Sequence, residues 1–408
     1  VALSERFGAL PFGRLFEEAI RYAEEGFQVG PKTGFFWPQA VDSFKGFAPF
    51  MDTFTIDGQA PAIGERMRLP DHAKTLARVA ETKGEAFYRG DLAKKIAADA
   101  AQHDAALTEE DLALHQCDWV EPISADGFGV TLHEIPPSGQ GLMALIALGV
   151  AKRAGLGDLP LDSADSIHLQ IEAMRIAYAD MAQHLADIDA MRFPPEAFLE
   201  PAYLASRAKE ISMAQANPQP YAMGAGADTV YLATADAGGM MVSMIQSNYM
   251  GFGSGIVIPG TGIAMQNRGA GFVLEEGHVN QLGPDKRPYH TIIPGFVTKD
   301  DAPLLSFGVM GGHMQAQGHL QMVVRVCLHG QNPQAASDAL RWRLMEDGRV
   351  ALEAGFDANI VAELEARGHH IVLGQPEYLF GGAQLIAKTE NGYVAGSDHR
   401  KEGMAAGY

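Results

Sequence analysis

Apolar positions recur at helical spacing through most of the first 228 residues. Leu15, Phe16, Ala19, Ile20 and Ala23 share one face, and Ile167, Ile171, Met174, Tyr178 and Met181 step by four, three, four and three. A 3.6-residue period of this kind predicts amphipathic helices. Similar patches predict helices over Leu69–Glu81, Asp91–Gln102 and Gly141–Ala154, and Val130–Ile135 alternates as a strand before Pro136-Pro137. The pattern then breaks. Ala214–Ala227 has two prolines, two glycines and no continuous apolar face, the signature of an exposed flexible connector. Period-two alternation follows: Thr229–Asp236, a turn at Ala237-Gly238-Gly239, and a return over Met240–Gln246. Further strands are predicted over Gly260–Gln266, His290–Val297 and Leu304–Val309, a helix around Asn359–Arg367, and a closing hairpin over Ala383–Val394. The methionines of Met240–Met250 read as core packing. A helix-rich half, a linker and a strand-rich half predict one layered α/β unit.

Composition narrows the class. Apolar residues make up 47% and charged residues 20%, enough to bury a large core. No apolar run approaches the ~20 residues of a membrane span. A formal net charge of −19 argues against nucleic acid or an anionic membrane as a partner. Cys117 and Cys327, the only cysteines, form neither a disulfide framework nor a zinc site, and are compatible with a reducing cytoplasm. The chain opens on Val1 rather than Met, so a removed segment, with any signal peptide in it, is expected.

The chemistry centres on Asp228-Thr229, where the connector meets a strand. A hydroxyl is a poor nucleophile at neutral pH without a base. A Thr at a new chain start carries its own, an α-amine with a pKa of about 7.7–8.0. Cleavage before Thr229 is therefore what the chemistry requires. Downstream lie Asn248 and the glycine loop Gly251-Phe252-Gly253-Ser254-Gly255, then Gly262 to Arg268, then Gly283 to Pro288. Gly311-Gly312, between a strand and a helix, can aim two backbone N–H groups at one oxygen, the requirement of an oxyanion hole.

Taken in order, Thr229, N-x-x-G-F-G-S-G from Asn248, Gly262 to Asn267, Gly283 to Pro288, Gly311-Gly312 and the terminal Ser397 to Tyr408 resemble the γ-glutamyltranspeptidase family, its cephalosporin-acylase-like branch included. Pro136-Pro137-Ser138-Gly139-Gln140-Gly141 and Tyr178-Ala179-Asp180 match motifs of the family's first half. The resemblance implies an α/β (α+β) fold, the four-layer αββα sandwich of the Ntn-hydrolase type. It implies a precursor cut between Asp228 and Thr229 into fragments 1–228 and 229–408 that stay associated as one structural unit. Thr229 is then the nucleophile, Gly311 and Gly312 the oxyanion hole, and Asn248, Arg268, His290 and Thr291 the substrate contacts. The expected activity is cleavage of γ-glutamyl or related amides through an acyl-Thr intermediate, with transfer to water or an amine. The expected partner is a small amide or peptide, with no cofactor or metal, and a homo-oligomer is left open. Gly271 stands where the family has the Asp that holds the substrate ammonium, a departure from γ-glutamyl specificity.

Other readings compete. Gly139 to Ala144 matches G-x-G-x-x-A after a strand, a dinucleotide fingerprint, although Pro136-Pro137 spoils the tight turn. Gly251, Gly253 and Gly255 lack the following Lys of a phosphate loop. The 14 histidines show no ligand spacing, so His313, His369 and His370 read as packing or surface residues. Lys286-Arg287 fits an anion clamp or an ion-paired turn equally, and Asp398 with Arg400 reads as a structural pair. A contrasting hypothesis is an uncut, inactive member acting as a binding protein.

Overall fold

The computed structural model describes residues 1–218 and 228–408. Packing divides the chain into two compact units, Val1–Trp119 with Gly251–Asn267, and Val120–Met250 with Arg268–Tyr408. Among the described residues no helix is long and apolar enough to cross a membrane.

In the first unit, helices α1 (Pro31–Phe44), α2 (Ala48–Phe54) and α3 (Pro70–Thr82) each carry Pro at one of the first two positions, where its missing N–H costs nothing. Their small core is aromatic. Phe252 stacks within 4.8–5.4 Å of Trp37, Phe50 and Phe54. The glycine loop serves this packing: a Cβ on Gly255 would lie 2.2 Å from the Phe44 ring, and one on Gly253 2.3 Å from the Met265 carbonyl oxygen. The strand expected over Gly260–Gln266 is instead a curl held by one bridge, Val257 to Ala264, because Gly260 and Gly262 both take positive φ.

The second unit is built on a six-stranded sheet of β1 (Ile123–Gly127), β2 (Val130–Glu134), β5 (Gly295–Lys299), β6 (Ala302–Met310), β7 (Gly382–Thr389) and β8 (Gly392–Ser397). Its order is β8-β7-β6-β5-β2-β1 with every neighbour antiparallel. Between β2 and β5 in sequence come β3 (Asp228–Ala235) and β4 (Met241–Tyr249), a hairpin forming a sheet of its own. One face of the large sheet carries helices α4 (Gly141–Arg153) and α6 (Met314–Val323), and α5 (Ala164–His184) packs against both. Residues 141–151 of α4 are all buried. Helix α5 is buried on nearly every side rather than along one stripe, and its His168, Gln170, Glu172 and Arg175 are interior.

The hairpin β3–β4 packs on the other face, over β6 and β7. Gly308 of β6 makes the approach: a Cβ there would lie 2.3 Å from Cδ2 of Tyr231. Stacking one sheet on another leaves the hairpin's outer face exposed, with Val230, Leu232, Val242 and Met244 on it. The expectation that the methionines of 240–250 form core is therefore corrected: Met240, Met244 and Met250 are exposed, because alternation puts them opposite the buried side. The dinucleotide reading also falls. Among the described residues strand β2 has only antiparallel neighbours, so they form no parallel strand–helix–strand crossover to hold a cofactor there.

The predicted connector begins as a held segment. Ala216 is buried and its N–H bonds the Arg367 carbonyl at 2.7 Å. The rest of that expectation, residues 219–227, lies outside the described residues.

Candidate active site

Thr229 is the second residue of β3 and half-buried. The ladder to β4 pairs Asp228 with Tyr249 and Val230 with Gln246, so a bulge faces Thr229 with both Ser247 and Asn248. The bulge decides which side chain meets the hydroxyl. Thr229 Oγ1 donates to Ser247 Oγ at 3.3 Å, while Asn248 is exposed on the opposite face of β4. Ser247, which the sequence does not single out, is thus the neighbour of the hydroxyl. A one-residue offset between facing strands cannot be read from one sequence.

Gly311 (φ 127°) and Gly312 (φ 60°) make the turn from β6 into α6. Only glycine adopts these angles easily, and Gly381 backs the turn closely, 3.0 Å from a Cβ built on Gly311. Their carbonyls accept from the N–H groups of Met314 and Gln315, both at 3.1 Å, which starts the helix. Neither glycine N–H donates to a backbone acceptor among the described residues. Two unbonded N–H groups at a helix start are competent to bind a developing oxyanion.

The turn is braced from below. Gln140 Nε2 donates to the Gly312 carbonyl at 2.8 Å, and the Tyr178 hydroxyl donates to the His313 carbonyl. Tyr178 is fully buried, and burial raises its phenol well above the ordinary value. His313 is buried and stacks on Tyr289, centroids 5.7 Å apart. The Tyr178-Ala179-Asp180 motif thereby acquires physical meaning: Tyr178 reaches the turn, while Asp180 accepts from Tyr203 and Arg207.

Arg268, His290 and Thr291 come together. Arg268 Nη1 donates to Thr291 Oγ1 at 2.9 Å, and its guanidinium lies 5.0 Å from the ring centre of Tyr249. Burial pulls the guanidinium pKa down from its ordinary value. The segment around His290 pairs with the loop before α4: its N–H bonds Ser138 O and its carbonyl takes Gln140 N–H, both at 3.0 Å. His290 Nδ1 lies 2.7 Å from Pro288 O, and burial above all lowers the pKa of this imidazole. A contact chain therefore runs from the Asp228–Tyr249 pair through Arg268, Thr291 and Gln140 to Gly312. At Gly271 a Cβ would lie 2.5 Å from the Tyr289 carbonyl oxygen, so no side chain fits there without movement.

Other candidates resolve as structure. Lys286 Nζ donates to the carbonyls of Val279 and Gln281 and so closes a turn. Asp398 and Arg400 join Arg341 and Glu353 in a buried ion network. His369 is buried against His168, Nε2 to Nδ1 at 2.7 Å. With Glu172 these two form a group of metal-ligand composition, atoms within 4.8 Å of one another. Most of its atoms already have protein partners: His168 Nε2–H donates to the Ser212 carbonyl at 2.8 Å, and Glu172 accepts from Arg175 and from the Asn217 N–H, while His369 Nδ1 has no partner among the described residues.

Stacked sheets with a Thr at a strand start and a glycine turn at a helix start are the arrangement that an amide hydrolase of the N-terminal-nucleophile class requires. Comparison with known proteins agrees. The sequence profile described as Gamma-glutamyltranspeptidase matches residues 1–408. The chain is 32% identical to the glutathione hydrolase-like YwrD proenzyme of Bacillus subtilis, covering 100% of this chain and 78% of that protein. It is 34% identical to the oxamate amidohydrolase proenzyme of Klebsiella pneumoniae, covering 98% and 76%. The cephalosporin acylase of Bacillus halodurans superposes with a TM-score of 0.94 at 46% identity, over 100% of this chain and 76% of that one. The chain belongs to the γ-glutamyltranspeptidase family, and its fold is of the expected Ntn-hydrolase type. It is a hydrolase of a family made as self-processing proenzymes.

Proposed function

We propose that this chain cuts itself between Asp228 and Thr229 and then hydrolyses a small amide whose acyl part lacks the γ-glutamyl ammonium. The observation that carries the reading is Thr229 set in a bulge with its hydroxyl donating to Ser247. In processing, Thr229 Oγ1 attacks the Asp228 carbonyl carbon, and its proton passes by way of the Ser247 hydroxyl to the Thr229 nitrogen, which leaves as the amine. The Asp228–Thr229 C–N bond breaks, and water hydrolyses the resulting ester. Fragments 1–228 and 229–408 remain together because both contribute strands to the large sheet. In turnover the freed α-amine takes the hydroxyl proton, Thr229 attacks the substrate carbonyl, and the N–H groups of Gly311 and Gly312 hold the oxyanion. The amine leaves with that proton, and water, or an acceptor amine, releases the acyl group.

Specificity follows from two positions. Gly271 offers no carboxylate to a substrate ammonium, while Arg268 with Thr291 offers donors suited to an acid group. Relatives named for oxamate and for cephalosporins favour the same direction over glutathione. The test is N-terminal sequencing and intact mass of the purified protein beside Thr229→Ala, followed by turnover of oxamate, glutathione and a glutaryl-cephalosporin. A fragment beginning Thr229-Val230-Tyr231-Leu232, an intact variant, and a preference for oxamate or the cephalosporin are expected. A wild-type chain that stays whole and idle would replace this reading with the binding-protein one.

A further inference from the structure

Gln140 lies at the head of α4 with no exposed surface, and its amide uses every hydrogen-bonding group it has. Nε2 donates to the Thr291 carbonyl at 2.5 Å and to the Gly312 carbonyl at 2.8 Å. Oε1 accepts from the Tyr289 hydroxyl at 3.1 Å. Both Nε2 partners are carbonyls that can only accept, so the amide has one orientation. Having given its proton to Gln140, the Tyr289 hydroxyl accepts from His313 Nδ1 at 3.1 Å. The imidazole is therefore held as the Nδ1–H tautomer and stacked on the same ring.

This network answers a problem posed by the glycine turn. A Gly-Gly pair reaches its unusual angles without strain but is equally free to leave them. An oxyanion hole needs its N–H groups fixed before the charge develops. Gly312 is fixed through its carbonyl, by Gln140 on one side and by the Gln315 N–H on the other. Thr291, on the segment paired with the α4 loop, is the other anchor of the same amide.

We propose that Gln140 is the positioning residue of the oxyanion turn: its amide locks the Gly312 carbonyl and so aims the N–H groups of Gly311 and Gly312. The inference rests on the hydrolase mechanism above. Gln140→Met keeps the volume and removes the donors. Its kcat on the best substrate of the three-amide panel falls about 10- to 100-fold, short of the 10²–10³ lost with a whole oxyanion donor, while KM stays within about threefold. Gln140→Glu separates positioning from filling. A carboxyl facing two carbonyl oxygens in a dry interior has its pKa raised into the working range, and only its neutral form has a proton, a single one, to donate to either carbonyl. The ratio of variant to wild-type kcat is then greatest at low pH and falls as pH rises. A wild-type kcat in Gln140→Met overturns the proposal. So does a Gln140→Glu ratio that stays flat across about pH 5 to 9, and this arm decides if Gln140→Met does not fold. Thr229→Ala, run alongside, keeps the two readings apart. Its inactivity with an unaffected Gln140→Met sinks only the positioning role, whereas wild-type turnover by Thr229→Ala sinks the mechanism and this inference with it.

Discussion

Replacing Asp398 with Ala removes the centre of a buried ion network and exposes its energetics. Asp398 Oδ2 accepts from Arg341 Nη2 and from the Ala383 N–H, each at 2.6 Å. Oδ1 accepts from the Arg400 N–H at 2.9 Å and Nη1 at 3.1 Å. The side chains of Asp398, Arg341 and Arg400 have no exposed surface. The two guanidiniums hold the carboxyl pKa below its ordinary value despite burial. Without it, two cations remain inside with Glu353, whose oxygens already serve Arg400 at 2.6 Å. Breaking a buried pair by deleting one partner costs about 3–5 kcal/mol. The surrounding unit spans about 270 residues, for which the unfolding entropy is about 0.6 kcal/mol/K. The expected fall in Tm is therefore about 5–9 °C, read by differential scanning calorimetry at pH 7. Asp398→Asn keeps the shape and some acceptors and should fall between Ala and wild type. An Ala variant melting within about 2 °C of wild type would refute the reasoning, since the charges would then be compensated elsewhere.

Two other perturbations probe the second unit. Gly308→Ala drives a methyl into the Tyr231 ring, which is pinned by hydroxyl contacts to Ser243 and Ser306; a loss of about 1–3 kcal/mol in chemical denaturation is expected, with slower cutting before Thr229. Unchanged stability and processing would mean that β3 slides freely on β6. His369 has its pKa pushed down to about 3, by burial first and then by His168 and Arg175. As pH falls below the ordinary histidine value of about 6.5, the unfolded chain takes up that proton while the folded chain does not, so stability drops by up to about 1.4 kcal/mol per pH unit toward pH 3. His369→Gln should flatten this acid limb in urea titrations at stepped pH, and an identical limb in both proteins would acquit the residue.

Much of this could be read along the chain. Where one face is buried and the other solvated, the pattern speaks: Asp91–Gln102, Pro70–Thr82 and the β3–β4 hairpin fall close to their predicted ranges. Helix α5 was legible as a helix but not as an all-round interior one, because its polar residues are satisfied by partners distant in sequence, such as His369 for His168. Strand β1 gives little signal, since Ser124, Ala125, Asp126 and Gly127 are small or polar. At the site, Thr229 and the glycine pair stand out because their chemistry is carried by residue type and order. Ser247 and Gln140 do not. One depends on a bulge between strands, the other on an amide reaching 172 residues along the chain.

The hairpin also fixes what a cut would leave behind. Apart from Asp228 itself, both of its strands lie on the C-terminal side of the proposed cut, and the ladder from Val230–Gln246 to Ala235–Met241 involves no residue before Thr229. Severing the chain there removes a single rung, Asp228–Tyr249. The new terminus inherits its register from its own fragment, with the serine partner on the adjoining strand. Maturation by the proposed cut would resemble lifting a latch from a finished frame, since the strand bearing the proposed nucleophile needs no second search for its place.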